Sequence, residues 1–173
     1  MLRFGFYLLL AGALAASAAV TTVLWLYLPQ LPDVETLREV RLQVPLRIYT
    51  ADGELMAEYG EKRRAPVAIE AVPDRVVNAF LAAEDDKFYS HPGVDLMALT
   101  RAVIELARTG EKRQGGSTIT MQVARNFFLT RDRTYERKLK EILLALKIEP
   151  ALSKDEILEL YLNKIFLGHR AYG

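Results

Sequence analysis

Glu84 stands in the position best suited to acid–base chemistry, because it closes a predicted helix whose apolar stripe begins at Val76. At 100° per residue Glu84 lies about 80° from Val76, in the middle of that stripe, whereas Asp85 and Asp86 fall outside it. A carboxylate in an apolar face costs free energy unless it is paired or protonated, and proteins accept that cost mostly at functional sites. The alternative is a helix that ends at Ala83 and leaves Glu84 on the surface.

A second group of charged residues lies on one face of the predicted helix that follows Thr134. Arg137, Lys138 and Glu141 fall within about 100° of one another, opposite the apolar face of that helix. Two interpretations stay open. The group is either a solvated stripe with one Arg–Glu ion pair, worth ~0.3 kcal/mol, or a charged lip that holds an anion beside a carboxylate.

Other chemistries find little support in the residues. The chain has two histidines and no cysteine, so a zinc site is not expected and no metal ligands are predicted. His91 is read as a structural histidine before a turn. Ser117 stands outside any GxSxG context and has no nearby His–Asp pattern, which argues against a serine hydrolase.

Charge is distributed unevenly along a chain whose net charge is only +1. Residues 101–147 hold 11 basic and 5 acidic residues, whereas residues 33–100 hold 8 basic and 13 acidic ones. A basic block inside an otherwise acidic domain favours an anionic ligand or anionic lipid headgroups. Nucleic acid is not expected, because no reading motif is present.

The first 32 residues resemble a membrane anchor. From Phe4 to Pro32 there is no charged residue, and Phe4–Leu28 is long enough for a membrane span of ~20 residues. A cleaved signal peptide is the alternative, but its apolar region is only about 7–15 residues long. Arg3 before the span, and acidic residues after it, place the N-terminus in the cytoplasm and the remaining chain outside it.

The elements that must position these residues are mainly helical. The prediction is one helix ending at Glu84 and four more with capping signals, and it has no strand after residue 66. A β-hairpin-like connector precedes them, with strands at Pro45–Tyr49 and Glu54–Tyr59. The four later helices are Leu96–Thr109, one from Ser117 or Thr118 to about Phe128, one from Thr134 to Pro150, and Lys154–Leu167. The predicted divisions are 1–32 for the anchor, 33–66 for the connector and 67–173 for the helical domain.

Four motifs in order resemble those of the peptidoglycan glycosyltransferases. The first is E-D-D-K-F-Y-S-H-P-G at residues 84–93, and the second is G-S-T-I-T-M-Q at 116–122, followed by Arg125 and Asn126. The third is R-K-L-K-E at 137–141, and the fourth is K-D-E-I-L-E-L-Y-L-N at 154–163. With the anchor and the connector, the chain resembles the N-terminal part of class A penicillin-binding proteins of the 1A type. Met121 and Arg125 depart from the usual Gln and Lys.

This resemblance implies a lysozyme-like helical fold that polymerises lipid II during bacterial cell-wall synthesis. Glu84 would be the general base on the acceptor 4-hydroxyl, and Glu141 would act beside the leaving pyrophosphate. The residues implied as contacts to the substrate are Asp85, Phe88, His91, Ser117, Thr118, Gln122, Arg125, Asn126, Arg133, Arg137 and Lys138. A divalent cation, Mg or Mn, is the cofactor that the resemblance allows at the pyrophosphate.

The same resemblance sets expectations for context. The partners would be lipid II, the lipid-linked growing strand, the bacterial inner membrane and other cell-wall synthesis proteins. Members of the family continue into a fifth motif, so the apolar face of Lys154–Leu167 is expected to lack packing here. The alternatives are a glycan-cleaving, lysozyme-like hydrolase and a non-catalytic, membrane-anchored binding fragment.

Overall fold

A computed structural model describes most of the chain. The described residues are 2–40, 42–60, 63–110, 116–130, 132, 134–169 and 171–173. Arg133 and residues 111–115 lie outside them. Two compact units are present, Met1–Asp33 and Val34–Gly173. The predicted divisions at residues 32 and 66 stay predictions.

Helices dominate the architecture. The helices are α1 Leu2–Tyr27, α2 Asp74–Glu84, α3 Leu96–Thr109, α4 Ile119–Phe128, α5 Tyr135–Ile148 and α6 Lys154–Leu162. The strands are β1 Leu46–Tyr49, β2 Leu55–Tyr59, β3 Arg63–Arg64, β4 Phe166–Gly168 and β5 Ala171–Tyr172. Short 3-10 turns cover Leu28–Gln30, Glu35–Glu39 and Ile69–Ala71. The mainly helical class is therefore confirmed.

The first unit contains α1, which is long and apolar enough to cross a membrane by length and composition. Its range, Leu2–Tyr27, nearly coincides with the span predicted at Phe4–Leu28. Length and composition do not give the direction of crossing, so the orientation stays a prediction.

The predicted hairpin is confirmed. Strands β1 and β2 pair antiparallel, with Leu46 opposite Tyr59 and Arg47 opposite Glu58. The turn contains Gly53 at φ 88°, a left-handed conformation that glycine adopts without steric cost.

The prediction of no strand after residue 66 is wrong. Strand β5 pairs parallel with β3 and antiparallel with β4. Helix α6 ends at Leu162, five residues earlier than predicted, and the chain then enters β4. Strand β4 replaces the end of the predicted helix and pairs with the nearby β5, which in turn pairs with the distant β3. The pairing of β5 with β3 is long-range and cannot be read from local spacing.

The core lies where α4 contacts α5 and α6. Met121, Leu144 and Ile157 have no exposed surface there. The apolar face of α6 is also packed, because Leu158 and Tyr161 are buried. The expectation that this face lacks packing is therefore wrong for these residues, whereas the later Phe166 and Leu167 are exposed.

Helix ends follow the predicted capping. Asp95, Thr118 and Thr134 accept hydrogen bonds from the third residue of their helices, and Ser153 forms a capping box with Glu156. Gly110 ends α3 at φ 68°. These caps fix where α4 and α5 begin, and those two helices carry Arg125, Arg137, Lys138 and Glu141.

Candidate functional site

Glu84 is exposed at the last position of α2, so the prediction that it lies in a buried apolar face is wrong. The reason is local. The helix ends at Glu84, Asp85 leaves it with φ −162°, and no residue of α2 is buried. The carboxylate of Asp85 is buried instead, so the helical angle assigned to Asp85 does not apply.

An open cleft of ≈ 220 Å³ begins at Glu84. Its walls are the residues around the end of α2, the first half of α3 and the segment before α4. The lining residues are Glu84, Asp85, Asp86, Asp95, Ala98, Arg101, Gly116, Ser117 and Thr118. A ligand in this cleft would meet the Glu84 carboxylate at one wall and the Arg101 guanidinium at another.

Glu141 is almost fully buried, with 1% of its side chain exposed, and three cations surround it. Arg137 Nη1 lies 3.0 Å and Arg125 Nη1 lies 4.0 Å from Glu141 Oε1, while Lys138 Nζ lies 3.3 Å from Oε2. We call these four residues the cation cluster. Of the two interpretations of the face that carries Arg137, Lys138 and Glu141, the solvated stripe is therefore wrong, and binding of an anion stays a prediction.

The charge of the cation cluster is unbalanced. Three cations face one carboxylate, which leaves an excess of two positive charges. The three cationic side chains keep between 18% and 32% of their surface exposed. An anion that approaches from solvent would therefore find cations held in place by a carboxylate that solvent does not reach.

Two polar residues connect the cleft to the cation cluster. Gln122 Nε2 donates to Glu84 Oε2 at 2.8 Å, and Arg125 Nη2 donates to Gln122 Oε1 at 3.4 Å. Lys138 Nζ donates to Ser117 Oγ at 2.7 Å. The carboxylate at the cleft and the cation cluster therefore belong to one hydrogen-bonded site built on α4 and α5.

Four of the predicted contact residues lie inside the protein. Phe88, His91, Asp85 and Thr118 are all buried. His91 Nε2 lies 3.0 Å from both oxygens of the Asp85 carboxylate. Thr118 caps α4 and donates through its hydroxyl to the carbonyl of Gly93. Their geometry suits positioning of the site, and their proposed contact with substrate stays a prediction.

The other predicted residues divide into two groups. Ser117, Gln122, Arg125, Arg137 and Lys138 are brought together around Glu84 and Glu141. Asn126 is exposed on α4, and no hydrogen bond joins its side chain to a described member of this group. Arg133 lies outside the described residues.

Sequence reasoning missed Asp86, Asp95 and Arg101 as lining residues of the cleft. A signal was available, because Asp95, Ala98 and Arg101 recur every three residues and so share one helix face. The missed pattern is thus a polar face of α3.

Tyr161 of α6 is a further residue that the motifs did not single out as functional. Burial, and then the negative charge of Glu84, raise the pKa of its hydroxyl to about 12, and Arg125 opposes this shift. Its ring contacts Phe80 of α2 edge to face, with 6.2 Å between centroids. Tyr161 therefore packs beneath the helix that presents Glu84 and stays protonated there.

The fourth motif has an internal role. Glu159 accepts from the backbone of Ile69 at 2.8 Å, and Asn163 exchanges two hydrogen bonds with the backbone of Val67. Both side chains hold the segment before α2 against α6. This contact fixes the entry to the helix that ends at Glu84.

Comparison with known proteins identifies the family of the chain. A protein-family model described as Transglycosylase matches residues 52–173. The chain is 60% identical over 145 residues to penicillin-binding protein 1A of Escherichia coli strain K12, which covers 84% of this chain and 17% of that protein. The corresponding protein of Pseudomonas aeruginosa is 57% identical over 150 residues, 86% of this chain and 18% of the relative.

The penicillin-binding protein 1A of Vibrio cholerae is 47% identical over 169 residues, which covers 96% of this chain and 20% of the relative. The chain thus spans about a fifth of the length of these relatives. Because the family model matches more than half of its residues, the chain belongs to the transglycosylase family.

Proposed function

We propose that this chain is a peptidoglycan glycosyltransferase that joins lipid II units into glycan strands. The observation that carries the proposal is the link from Glu84 through Gln122 to Arg125, because it places a carboxylate and an excess of cations in one site. The reaction needs both, a base for the attacking hydroxyl and positive charge for a departing pyrophosphate.

Glu84 is assigned as the general base. It is exposed at the cleft, so a hydroxyl of the acceptor can approach it, and Gln122 holds one of its two oxygens. The acceptor 4-hydroxyl gives its proton to the carboxylate while its oxygen forms a bond to C1 of the donor sugar. The bond between C1 and the pyrophosphate oxygen breaks, and the electron pair leaves with the lipid pyrophosphate.

The cation cluster is assigned to the donor pyrophosphate. Lys138 and Arg125 keep 29% and 32% of their side chains exposed, so they are the cations that a phosphate can reach. Ser117 orients Lys138, and Glu141 holds all three cations from the protein side. Positive charge that is already in place costs no reorganisation when negative charge develops on the leaving group.

A divalent cation, Mg or Mn, at the pyrophosphate stays a prediction. Side-chain cations lie near both oxygens of the Glu141 carboxylate, and Oε1 is buried with no hydrogen-bond partner among the described residues. Among the described residues, no group of three His, Asp or Glu side chains is arranged to hold a metal ion. The proposed reaction uses the side-chain cations of the cation cluster.

The proposed setting is the periplasmic face of the bacterial inner membrane, with α1 as a single anchor and the N-terminus in the cytoplasm. The support is the length and apolar composition of α1 and the charges on its two sides. Both substrates carry lipids, so an anchored domain would meet them at the bilayer. Other cell-wall synthesis proteins are the proposed protein partners.

Two alternatives remain, and one experiment separates them from the proposal. A lysozyme-like hydrolase would use Glu84 as a general acid on finished glycan, and a non-catalytic fragment would turn over nothing. The detergent-purified protein is incubated with lipid II and, separately, with finished glycan strands. Polymer from lipid II with intact glycan supports the transferase, whereas cleaved glycan without polymer would favour the hydrolase.

A further inference from the structure

Beyond the site itself, a closed ring of hydrogen bonds joins α4 and α6 to the residues that directly follow α2 and α5. Lys154 Nζ donates to the carbonyl of His91 at 2.7 Å and to Glu149 Oε1 at 2.8 Å. Thr120 Oγ1 donates to the same Glu149 oxygen at 2.7 Å. Lys154, the first residue of α6, is therefore hydrogen-bonded on one side to the His91 loop and on the other, through Glu149, to Thr120 of α4.

The two branches meet again at the start of α4. The imidazole of His91 binds Asp85 at 3.0 Å, and Asp85 Oδ2 accepts from the backbone N–H of Ile119 at 3.0 Å. Ile119 is followed directly by Thr120, which returns the path to Glu149. Asp85 directly follows Glu84, and Gln122 lies one turn into α4, so the ring joins the backbones that carry both partners of the Glu84–Gln122 hydrogen bond.

The ring is sheltered from solvent and closely packed. Phe88, which is 1% exposed, packs against two members of the ring: Lys154 Nζ lies 4.5 Å from the centroid of the Phe88 aromatic ring, and the His91 imidazole centroid lies 6.3 Å from it. Gly93 has φ +85°, and a Cβ there would come within 2.6 Å of Glu149 Cγ. Any side chain at residue 93 would therefore displace Glu149, the member of the ring that joins Lys154 to Thr120.

We propose that Lys154 is a positioning residue, which fixes Glu84 relative to α4 through this ring of Asp85, His91, Ile119, Thr120, Glu149 and Lys154. The inference rests on the proposed function, because the fixed distance matters only if Glu84 and the groups on α4 act on one substrate. Lys154 itself touches neither Glu84 nor the cation cluster in any contact the structure records among described residues.

The first test does not depend on activity. Amide hydrogen exchange of the segment 117–121 is measured in the wild-type protein and in Lys154→Met. We expect exchange at Ile119 to rise at least tenfold in the variant, although Lys154 does not touch that amide. Lys140→Met is the matched control, because it removes a comparable Lys–Glu contact of 2.7 Å at the surface and should leave this exchange unchanged. Unchanged exchange in Lys154→Met would overturn the ring.

The second test measures kcat and KM for lipid II polymerisation, well below the melting temperatures of all variants. Lys154→Met and Thr120→Val should each lower kcat about tenfold and leave KM within twofold, and Lys154→Arg and Thr120→Ser should recover most of the loss. The double variant Lys154→Met with Thr120→Val should lose little more kcat than either single variant, because either substitution alone already interrupts the ring. Additive losses, or losses confined to stability, would contradict the positioning role.

These tests separate the two proposals. An active wild-type protein whose Lys154→Met variant keeps its kcat overturns the positioning role and leaves the proposed function standing. A wild-type protein that exchanges as expected but makes no polymer from lipid II overturns the proposed function, and with it the catalytic meaning of the ring.

Discussion

The amide of Gln122 donates a 2.8 Å hydrogen bond from Nε2 to Oε2 of Glu84, which joins the last residue of α2 to the second turn of α4. The same amide accepts from Arg125 through its oxygen. Gln122 thus fixes both the orientation of the proposed base and the side of the cation cluster nearest to it.

Replacing Gln122 should therefore slow the reaction. A hydrogen bond to a charged group is worth about 1.5–3 kcal/mol, so Gln122→Met should lower kcat of lipid II polymerisation by roughly 10- to 100-fold. Steady-state kinetics measures this, with Gln43→Met as a control at an exposed glutamine. Equal activity of the two variants would show that the contact does not matter for the reaction.

Arg101 should contribute to the acceptor side of the cleft. It lines the cleft with Glu84, whereas the cation cluster is connected to Glu84 through Gln122 and Arg125. Since both substrates carry phosphate, Arg101→Ala should raise KM for lipid II several-fold with a smaller change in kcat. Arg108→Ala, on the last turn of the same helix, is the control. The same KM change in both variants would indicate general surface charge.

Glu141 should matter for stability as well as activity. Removing one partner of a buried ionic group costs about 3 kcal/mol, and Glu141→Gln leaves three cations without their carboxylate. Denaturant unfolding should show a clearly lower midpoint for Glu141→Gln. For Glu136→Gln, at an exposed ion pair, the change should stay within ~0.5 kcal/mol. A Glu141→Gln midpoint as high as the control would mean that the cations do not need this carboxylate.

The cap of α3 should give a pH-dependent part of stability. Hydrogen bonding from the backbone N–H of Ala98 lowers the pKa of Asp95 below 3.8. Because the folded-state pKa is the lower one, this stabilisation is present above about pH 4 and is lost as the pH falls through the folded value. The unfolding free energy of wild type minus that of Asp95→Asn should therefore shrink between pH 5 and pH 2, while a constant difference would rule out titration of Asp95 as its source.

Local sequence rules predicted much of this fold. The caps at Asp95, Thr118, Thr134 and Ser153 depend on one side chain and the backbone three residues later, so short spacing is sufficient to find them. The hairpin of β1 and β2 is equally local, because a glycine turn separates its strands. Strand β5 was missed because its partner β3 lies over a hundred residues earlier.

The motifs named the residues of the candidate site, but the burial of its two glutamates could be read only from the structure. Helical spacing placed Arg137, Lys138 and Glu141 on one face but could not show that Glu141 is buried, since burial depends on the packing of α4 against α5. The same spacing placed Glu84 in the apolar stripe of α2, but no residue of α2 is buried, so that stripe does not enter the core. The ring that includes Lys154 joins α4 and α6 to residues that follow α2 and α5, and no local pattern contains it.

Glu84→Gln tests whether Glu84 is the general base, because the substitution keeps the size and polarity of the side chain and removes its ability to accept a proton. General-base catalysis is typically worth about 10²–10⁴-fold in rate, so lipid II polymerisation should fall by at least about a hundredfold. Lipid II binding and thermal stability should stay near wild type, because Glu84 is exposed and not part of the core. Polymerisation within a few-fold of wild type would contradict Glu84 as the base and the account built on it.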